Sequence, residues 1–198
     1  MSDTFNSHFS TIGPNLANSI PTKSGLSHLN YLTKTNSTFE LVTTSYSKVL
    51  ALLRKLNKTK ATGLDKIPAR LLKDCSDLIA TSLCSIFNQS IISGIFPEEW
   101  KSAKVTPLFK NGQRSDPNNY RPISVTPIVA KVFERIIYDQ LYDYLTANNL
   151  ISSCQSGFRS LHSTVTALLE ASDNWALNID KGNVNAVVFL DLKKAFDT

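Results

Sequence analysis

Apolar residues recur at helical spacing in several stretches of the 198-residue chain. Across residues 47–57, Val49, Leu50, Leu53 and Leu56 share a face while Lys48, Arg54 and Lys55 take the other, which predicts an amphipathic helix. A second helix is expected from Pro68, whose fixed φ suits a first turn, to Gly94, a natural stop. Its stripe of Leu71, Leu72, Cys75, Leu78, Ile79, Leu83, Ile86, Phe87 and Ile91 reads as core, without chemistry. After a punctuated start at Phe96-Pro97-Glu98-Glu99-Trp100-Lys101 the period changes. Residues 104–110 and 120–125 read as short strands joined by a polar loop, and Pro107 places its strand at an edge or a bulge. From Pro127 the helical period returns through Val129, Val132, Phe133, Ile136, Ile137, Leu141, Tyr144 and Leu145, ending at Asn148-Asn149. Ser163 or Thr164 can cap a last helix to about Ile179, with Val165, Leu168, Leu169, Ser172 and Trp175 inward. Residues 180–183 form a tight turn into residues 186–190, an unbroken apolar run that reads as a strand buried on both faces.

Residues 1–44 differ in kind. They are rich in Ser, Thr and Asn, and Pro14 and Pro21 break the periodicity. Phe5, Phe9 and Ile12 can share one short helical face, and the remainder reads as an extended leader or linker.

Charge sharpens this division. Residues 1–44 carry two basic and two acidic side chains, residues 48–121 thirteen and six, and residues 122–198 six and eight. A basic block beside a more acidic stretch suits a polyanion partner with carboxylate chemistry elsewhere, or an ordinary basic protein. Cys75, Cys84 and Cys154 are too few and too widely spaced for a disulfide frame or a zinc site, and read as free thiols in a reduced compartment. No signal peptide or membrane span is visible, so an intracellular location (cytoplasm, nucleus or both) is expected, without membrane contact.

Candidate chemistry lies in four places. Lys58, Lys60 and Lys66, with Gly63 between them, form a loop that could accept a phosphate backbone or be a solvated turn. Lys110 and Arg121 flank the hairpin loop and could face one anion or only solvent. Gly157 permits close backbone approach, and Phe158 beside Arg159 offers stacking and charge, or else a buried Phe anchoring a loop. His162 has no partner spacing and reads as structural. Asp191 leaves the terminal apolar run at once, where a carboxylate can bind a divalent metal or cap the next helix.

The order of these blocks is more specific than any one of them. Lys60-Ala61-Thr62-Gly63-Leu64-Asp65-Lys66-Ile67-Pro68 is followed by Trp100-Lys101, Pro107-Leu108-Phe109-Lys110 and Tyr120-Arg121-Pro122-Ile123-Ser124. Gln155-Ser156-Gly157-Phe158-Arg159, His162-Ser163-Thr164 and Phe189-Leu190-Asp191-Leu192-Lys193-Lys194-Ala195-Phe196-Asp197 come next. Together they resemble the N-terminal half of the reverse transcriptase domain of non-LTR (LINE-type) retrotransposons, especially jockey-like and CR1-like elements. The resemblance runs from about Tyr46 to Thr198, and Phe5-Asn6-Ser7-His8-Phe9 also resembles the segment ahead of that domain.

The resemblance implies an α+β fold: a partial right-hand polymerase with mostly helical fingers, a β-hairpin and the first palm strand. It implies a leader over 1–44 and a truncated reverse transcriptase domain over 45–198. The implied activity is RNA-directed DNA polymerisation by two-metal phosphoryl transfer, with Mg2+ as cofactor and an RNA template, a DNA primer and dNTP as partners. It makes Asp191 the first metal-binding carboxylate and the main-chain carbonyl of Leu192 its companion ligand. Phe196 becomes the steric gate against ribose, and Asp197 a structural part of the motif. Lys110 and Arg121 become the holders of the triphosphate. Lys58, Lys60 and Lys66 are assigned to template backbone, and Gln155, Gly157 and Arg159 to the template and nascent pair.

Departures from the family matter equally. Its second catalytic carboxylates lie in a Tyr-Ala-Asp-Asp or similar hairpin, and no Asp-Asp pair occurs in these 198 residues. Ser160-Leu161 stand where a Pro or Gly is usual. The expectation is a fragment, catalytically dead as an isolated chain unless the downstream half is supplied as a partner. A non-catalytic nucleic-acid-binding module is the alternative, and failure to fold alone a third outcome.

Overall fold

The computed structural model describes residues 2–19 and 35–191. It is mixed α and β: seven helices and one two-stranded antiparallel sheet among the described residues. Local signals set most boundaries. Ser45 caps α2 (Tyr46–Arg54) by accepting from the Lys48 N–H. The expected single helix from Pro68 to Gly94 is two, α3 (Ala69–Asp74) and α4 (Ser76–Ser93). Cys75 joins them without interrupting the ladder: its N–H bonds Leu71 and its carbonyl accepts from Leu78 and Ile79. Gly94 ends α4 in the left-handed region at φ 68°, a conformation open to a residue without Cβ. A single turn, α5 (Glu98–Lys101), follows.

The core lies between α2, α4 and α6 (Ile128–Ala147). Val49 and Leu53 from α2, Ala80 and Phe87 from α4, and Ile128 and Phe133 from α6 are almost wholly buried. Phe133 is the hub. Its ring stacks on Phe87 at 5.0 Å, lies 5.7 Å from Phe96 and meets Trp100 edge-on at 5.7 Å. The short α5 turn is thereby fixed by Trp100 alone among its side chains, through aromatic packing.

Residues 35–45 cross this core as an extended strap held by side-chain amides. Gln140 accepts from the Val42 N–H and donates to its carbonyl, both at 2.9 Å. Asn88 does the same for Thr44, at 2.7 and 3.0 Å. Each amide supplies one donor and one acceptor, as a neighbouring strand would.

Strand β1 (Lys104–Phe109) pairs with β2 (Tyr120–Val125), with Leu108 opposite Arg121, Phe109 opposite Tyr120 and Pro107 opposite Pro122. The Lys110 N–H bonds the Asn119 carbonyl at 2.8 Å, so alternation makes the Pro107–Pro122 rung a non-bonded one. No ladder hydrogen bond is lost to either proline, and Pro107 lies on an edge strand as its residue type required.

The leader is more ordered than its composition suggested. Residues 2–19 form an 18-residue helix, α1 (Ser2–Ser19), running through Pro14. The Ser10 and Thr11 hydroxyls bond the Ser7 carbonyl, and packing of Phe5 on Tyr120 at 4.7 Å holds the helix on the hairpin.

Two expectations at the other end are corrected. Helix α7 (Thr164–Asp180) starts as expected, with Ser163 and Thr166 in a reciprocal capping box. Its apolar face is not inward: Val165, Leu168 and Leu169 are each more than half exposed, and α7 buries no residue. Residues 186–190 form no strand here and are not buried; Phe189 is 87% exposed and Leu190 88%. A strand exists through its ladder, and among the described residues the sheet consists of β1 and β2 alone. What holds this segment is Asn185, which donates to the Trp175 carbonyl and accepts from Asn178.

Replacing the hub side chain in Phe133→Ala is expected to cost about 3–5 kcal/mol of unfolding free energy in urea denaturation. The same truncation at the exposed Phe189 should stay within about 0.5 kcal/mol.

Candidate functional site

Strand alternation sorts the hairpin into two faces. One carries Val105, Pro107 and Phe109 with Tyr120 and Pro122, and α1 lies over it. The other carries Lys104, Thr106, Leu108 and Lys110 with Arg121 and Ile123, all exposed. Lys110 and Arg121 are diagonal neighbours there, about 7–8 Å apart by the geometry of paired strands. The open face holds no carboxylate, and neither cation is in an ion pair among the described residues. The two residues singled out from sequence are thus brought onto one exposed face, without an ion pair among the described residues.

Behind them lies an aromatic pair that the sequence reading passed over. Tyr120 meets Phe109 edge-on at 5.3 Å, its hydroxyl donates to the Arg114 carbonyl at 2.9 Å, and the Arg114 guanidinium sits 5.0 Å over the Phe109 ring. The signal was present: each aromatic directly precedes a cation, in Phe109-Lys110 and Tyr120-Arg121. In paired strands that order places rings on one face and charges on the other.

The lysine loop divides. Lys58 is engaged by Asp74 at 2.8 Å, with Arg70 at 3.6 Å from the same carboxylate. The Lys58 hydrogen bond is the largest influence holding the Asp74 carboxyl below its ordinary pKa. Lys60 and Lys66 are exposed and without an ion pair among the described residues. Gly63 is not the flexible phosphate contact considered from sequence. A Cβ there would lie 2.7 Å from the Pro127 nitrogen and 2.9 Å from the Thr126 carbonyl carbon, so this backbone is pressed against the start of α6 where β2 ends.

The loop before α7 holds its polar groups to itself. Arg159 donates to the Ser152 and Gln155 carbonyls at 3.1 and 3.2 Å, and Gln155 donates to the Gly157 carbonyl at 3.2 Å. Among the described residues nothing lies within 4 Å of a Cβ at Gly157, so the space beside its backbone is open. Phe158 is no buried anchor: it is 87% exposed with φ 59°, and Leu161 is 99% exposed with φ 65°. The His162 ring lies with Nδ1 3.0 Å from the nearby Ser160 carbonyl, and its backbone N–H bonds the Arg159 carbonyl. The three cysteines are free, as expected.

Asp191 is exposed at the last described position. Leu192, Phe196 and Asp197 lie outside the described residues. Among the described residues no three His, Cys, Asp or Glu side chains come together as a metal-binding group. Magnesium requires near-octahedral oxygen ligation, and a lone exposed carboxylate does not fit a two-metal centre. Nor is any helix among them long and apolar enough to cross a membrane.

Comparison with known proteins agrees with the ordered blocks. Residues 109–198 match the family described as Reverse transcriptase (RNA-dependent DNA polymerase). Over that stretch, less than half of the chain, the sequence is similar to reverse transcriptases. Among individual proteins the similarity is to polymerases of non-LTR retrotransposons. The chain is 35% identical over 152 residues, 76% of its length, to the RNA-directed DNA polymerase from mobile element jockey of Drosophila melanogaster. It is 32% identical over 152 residues to the jockey polymerase of Drosophila funebris. Over 151 residues it is 29% identical to the “Probable RNA-directed DNA polymerase from transposon BS” of Drosophila melanogaster. It spans 16, 16 and 17% of the lengths of these three relatives.

Gly63→Ala should lower stability by about 1–3 kcal/mol, because backbone atoms cannot yield to the new methyl. Gly157→Ala should stay within about 0.5 kcal/mol; paired chemical melts check both. The depressed Asp74 pKa gives stability that is present above the unfolded carboxylate value of about 3.9 and lost as pH falls through the folded value. Lys58→Met should raise the Asp74 pKa in an NMR titration and flatten that acid-side dependence.

Proposed function

We infer that the chain carries the fingers and first catalytic motif of an RNA-directed DNA polymerase. The observation that supports this reading is the exposed hairpin face, where Lys110 and Arg121 stand together opposite the packed face and, among the described residues, without an ion pair. A phosphate chain is the ligand that two adjacent cations without a carboxylate suit best. In the assembled polymerase this face receives the incoming triphosphate. Lys60 and Lys66 lie along the template backbone, and Lys58 joins them only by exchanging Asp74 for phosphate. Gly157 leaves space for a template strand, with Gln155 and Arg159 shaping the loop around it and Phe158 available for stacking on a base. Asp191 and the Leu192 carbonyl would supply one side of a magnesium site that further carboxylates must complete, and Phe196 would exclude a ribose hydroxyl. Metal-dependent phosphoryl transfer requires the further carboxylates of the family, so a polypeptide of these 198 residues binds nucleic acid without extending a primer.

The assay pairs anisotropy of a labelled RNA–DNA heteroduplex with primer extension. Binding is expected at about 50 mM salt, falling linearly in log–log form as salt rises. Lys110→Ala with Arg121→Ala should reduce that slope by about two. An unchanged slope removes these cations from the interface. Template-dependent extension that vanishes in Asp191→Ala would overturn the inactivity of the isolated polypeptide.

A further inference from the structure

We propose that α1 is a brace for the cationic hairpin face, with Phe5 as the positioning residue that sets how Lys110 and Arg121 meet a phosphate chain; this deepens the reading above and rests on it. Two strands cannot make an interior of their own, and an isolated hairpin is marginal in water. Among the described residues α1 is the helix laid over the packed face, reaching Tyr120 through Phe5 and the adjoining 3-10 turn, Pro117–Asn119.

The contacts form one line. Phe9 stacks on Phe5 at 5.7 Å, Phe5 meets Tyr120 edge-on at 4.7 Å, and Tyr120 meets Phe109 at 5.3 Å. Phe109 and Tyr120 are opposite each other on one rung. Lys110 and Arg121 are their immediate chain neighbours, so both cations point from the other face of the same short piece of ladder. Tilting or fraying that rung moves both charges together. On the β1 side, a groove of about 740 Å³ separates Phe5 and Phe9 from Val105 and Pro107, leaving the Phe5–Tyr120 contact as the tight point of the seam.

Charge is not how α1 acts. Its only charged residue is Asp3, and its other exposed positions are mainly Ser, Thr and Asn. Its contribution to the open face is therefore through packing, from the side opposite the ligand. Helix α1 also lies ahead of residues 109–198, the stretch that matches the polymerase family.

The test uses the full chain and two readouts. Amide hydrogen exchange at Leu108, Lys110 and Arg121 reports the hairpin directly, with Phe87 and Phe133 as core controls. Phe5→Ala should lower hairpin protection about tenfold and leave the core controls unchanged. Phe5→Leu, which keeps an apolar cover, should restore most of it. In heteroduplex anisotropy, Phe5→Ala should reduce the salt slope as the cation substitutions do, although it removes no charge, and should add nothing in the Lys110→Ala, Arg121→Ala background. Unchanged hairpin protection in Phe5→Ala overturns the brace, as does a loss that adds in full to that of the double variant. If the double variant binds like the parent chain, the phosphate reading fails, while hairpin protection still decides whether α1 braces the hairpin.

Discussion

Two strands make one ladder and no core. Every property of the hairpin therefore depends on what is pressed against it from outside. The chain supplies two such contacts far apart in sequence: α1 across the packed face near the tip, and Gly63 against Thr126 and Pro127 where β2 runs into α6. The second leads to the true core, since Ile128 and Phe133 follow within two turns. A surface with two exposed cations is held at one end by aromatic packing and at the other by backbone contact too close for a side chain.

Much of this was legible from residue patterns. Helical spacing found α2, α6 and the length of α7, while Gly94 marked the end of α4 and Ser163 the start of α7 through cap chemistry that acts over a few residues. The hairpin followed from the change of period and from Pro107. Failures occurred where an outcome depends on a distant partner. Composition could not show that Phe5 would find Tyr120, so only a short helical face around Phe5, Phe9 and Ile12 was expected and not a helix running through Pro14. Periodicity gave α7 an apolar face but cannot say what covers it. The run 186–190 has the composition of a central strand, yet its ladder needs neighbours that the described residues do not provide. Gly63 illustrates the same limit at one residue: glycine is compatible with a loose turn or a tight contact, and only the fold tells them apart.

The candidate site divides along the same line. Lys110 and Arg121 share a face because a hairpin converts a sequence separation of eleven into a diagonal neighbour, which register makes calculable. Lys58, Lys60 and Lys66 belong to one loop, but a carboxylate on α3 claims only the first. Arg159 looked like a free cation beside an aromatic and instead closes its own loop. Charge in a sequence identifies who can bind an anion; the competing carbonyls and carboxylates decide who remains to do so.

The Pro107–Pro122 rung has a further consequence for the behaviour of the chain in solution. At a non-bonded rung the backbone amides point away from the partner strand, toward whatever approaches the outer edges. With proline at both positions, each edge of this two-stranded sheet lacks a donor at its middle. A third strand arriving on either side, from another copy or from an unfolded neighbour, would meet an interrupted template. The ribbon is short and two-stranded among the described residues, and its paired prolines keep it a dead end for strand-by-strand growth.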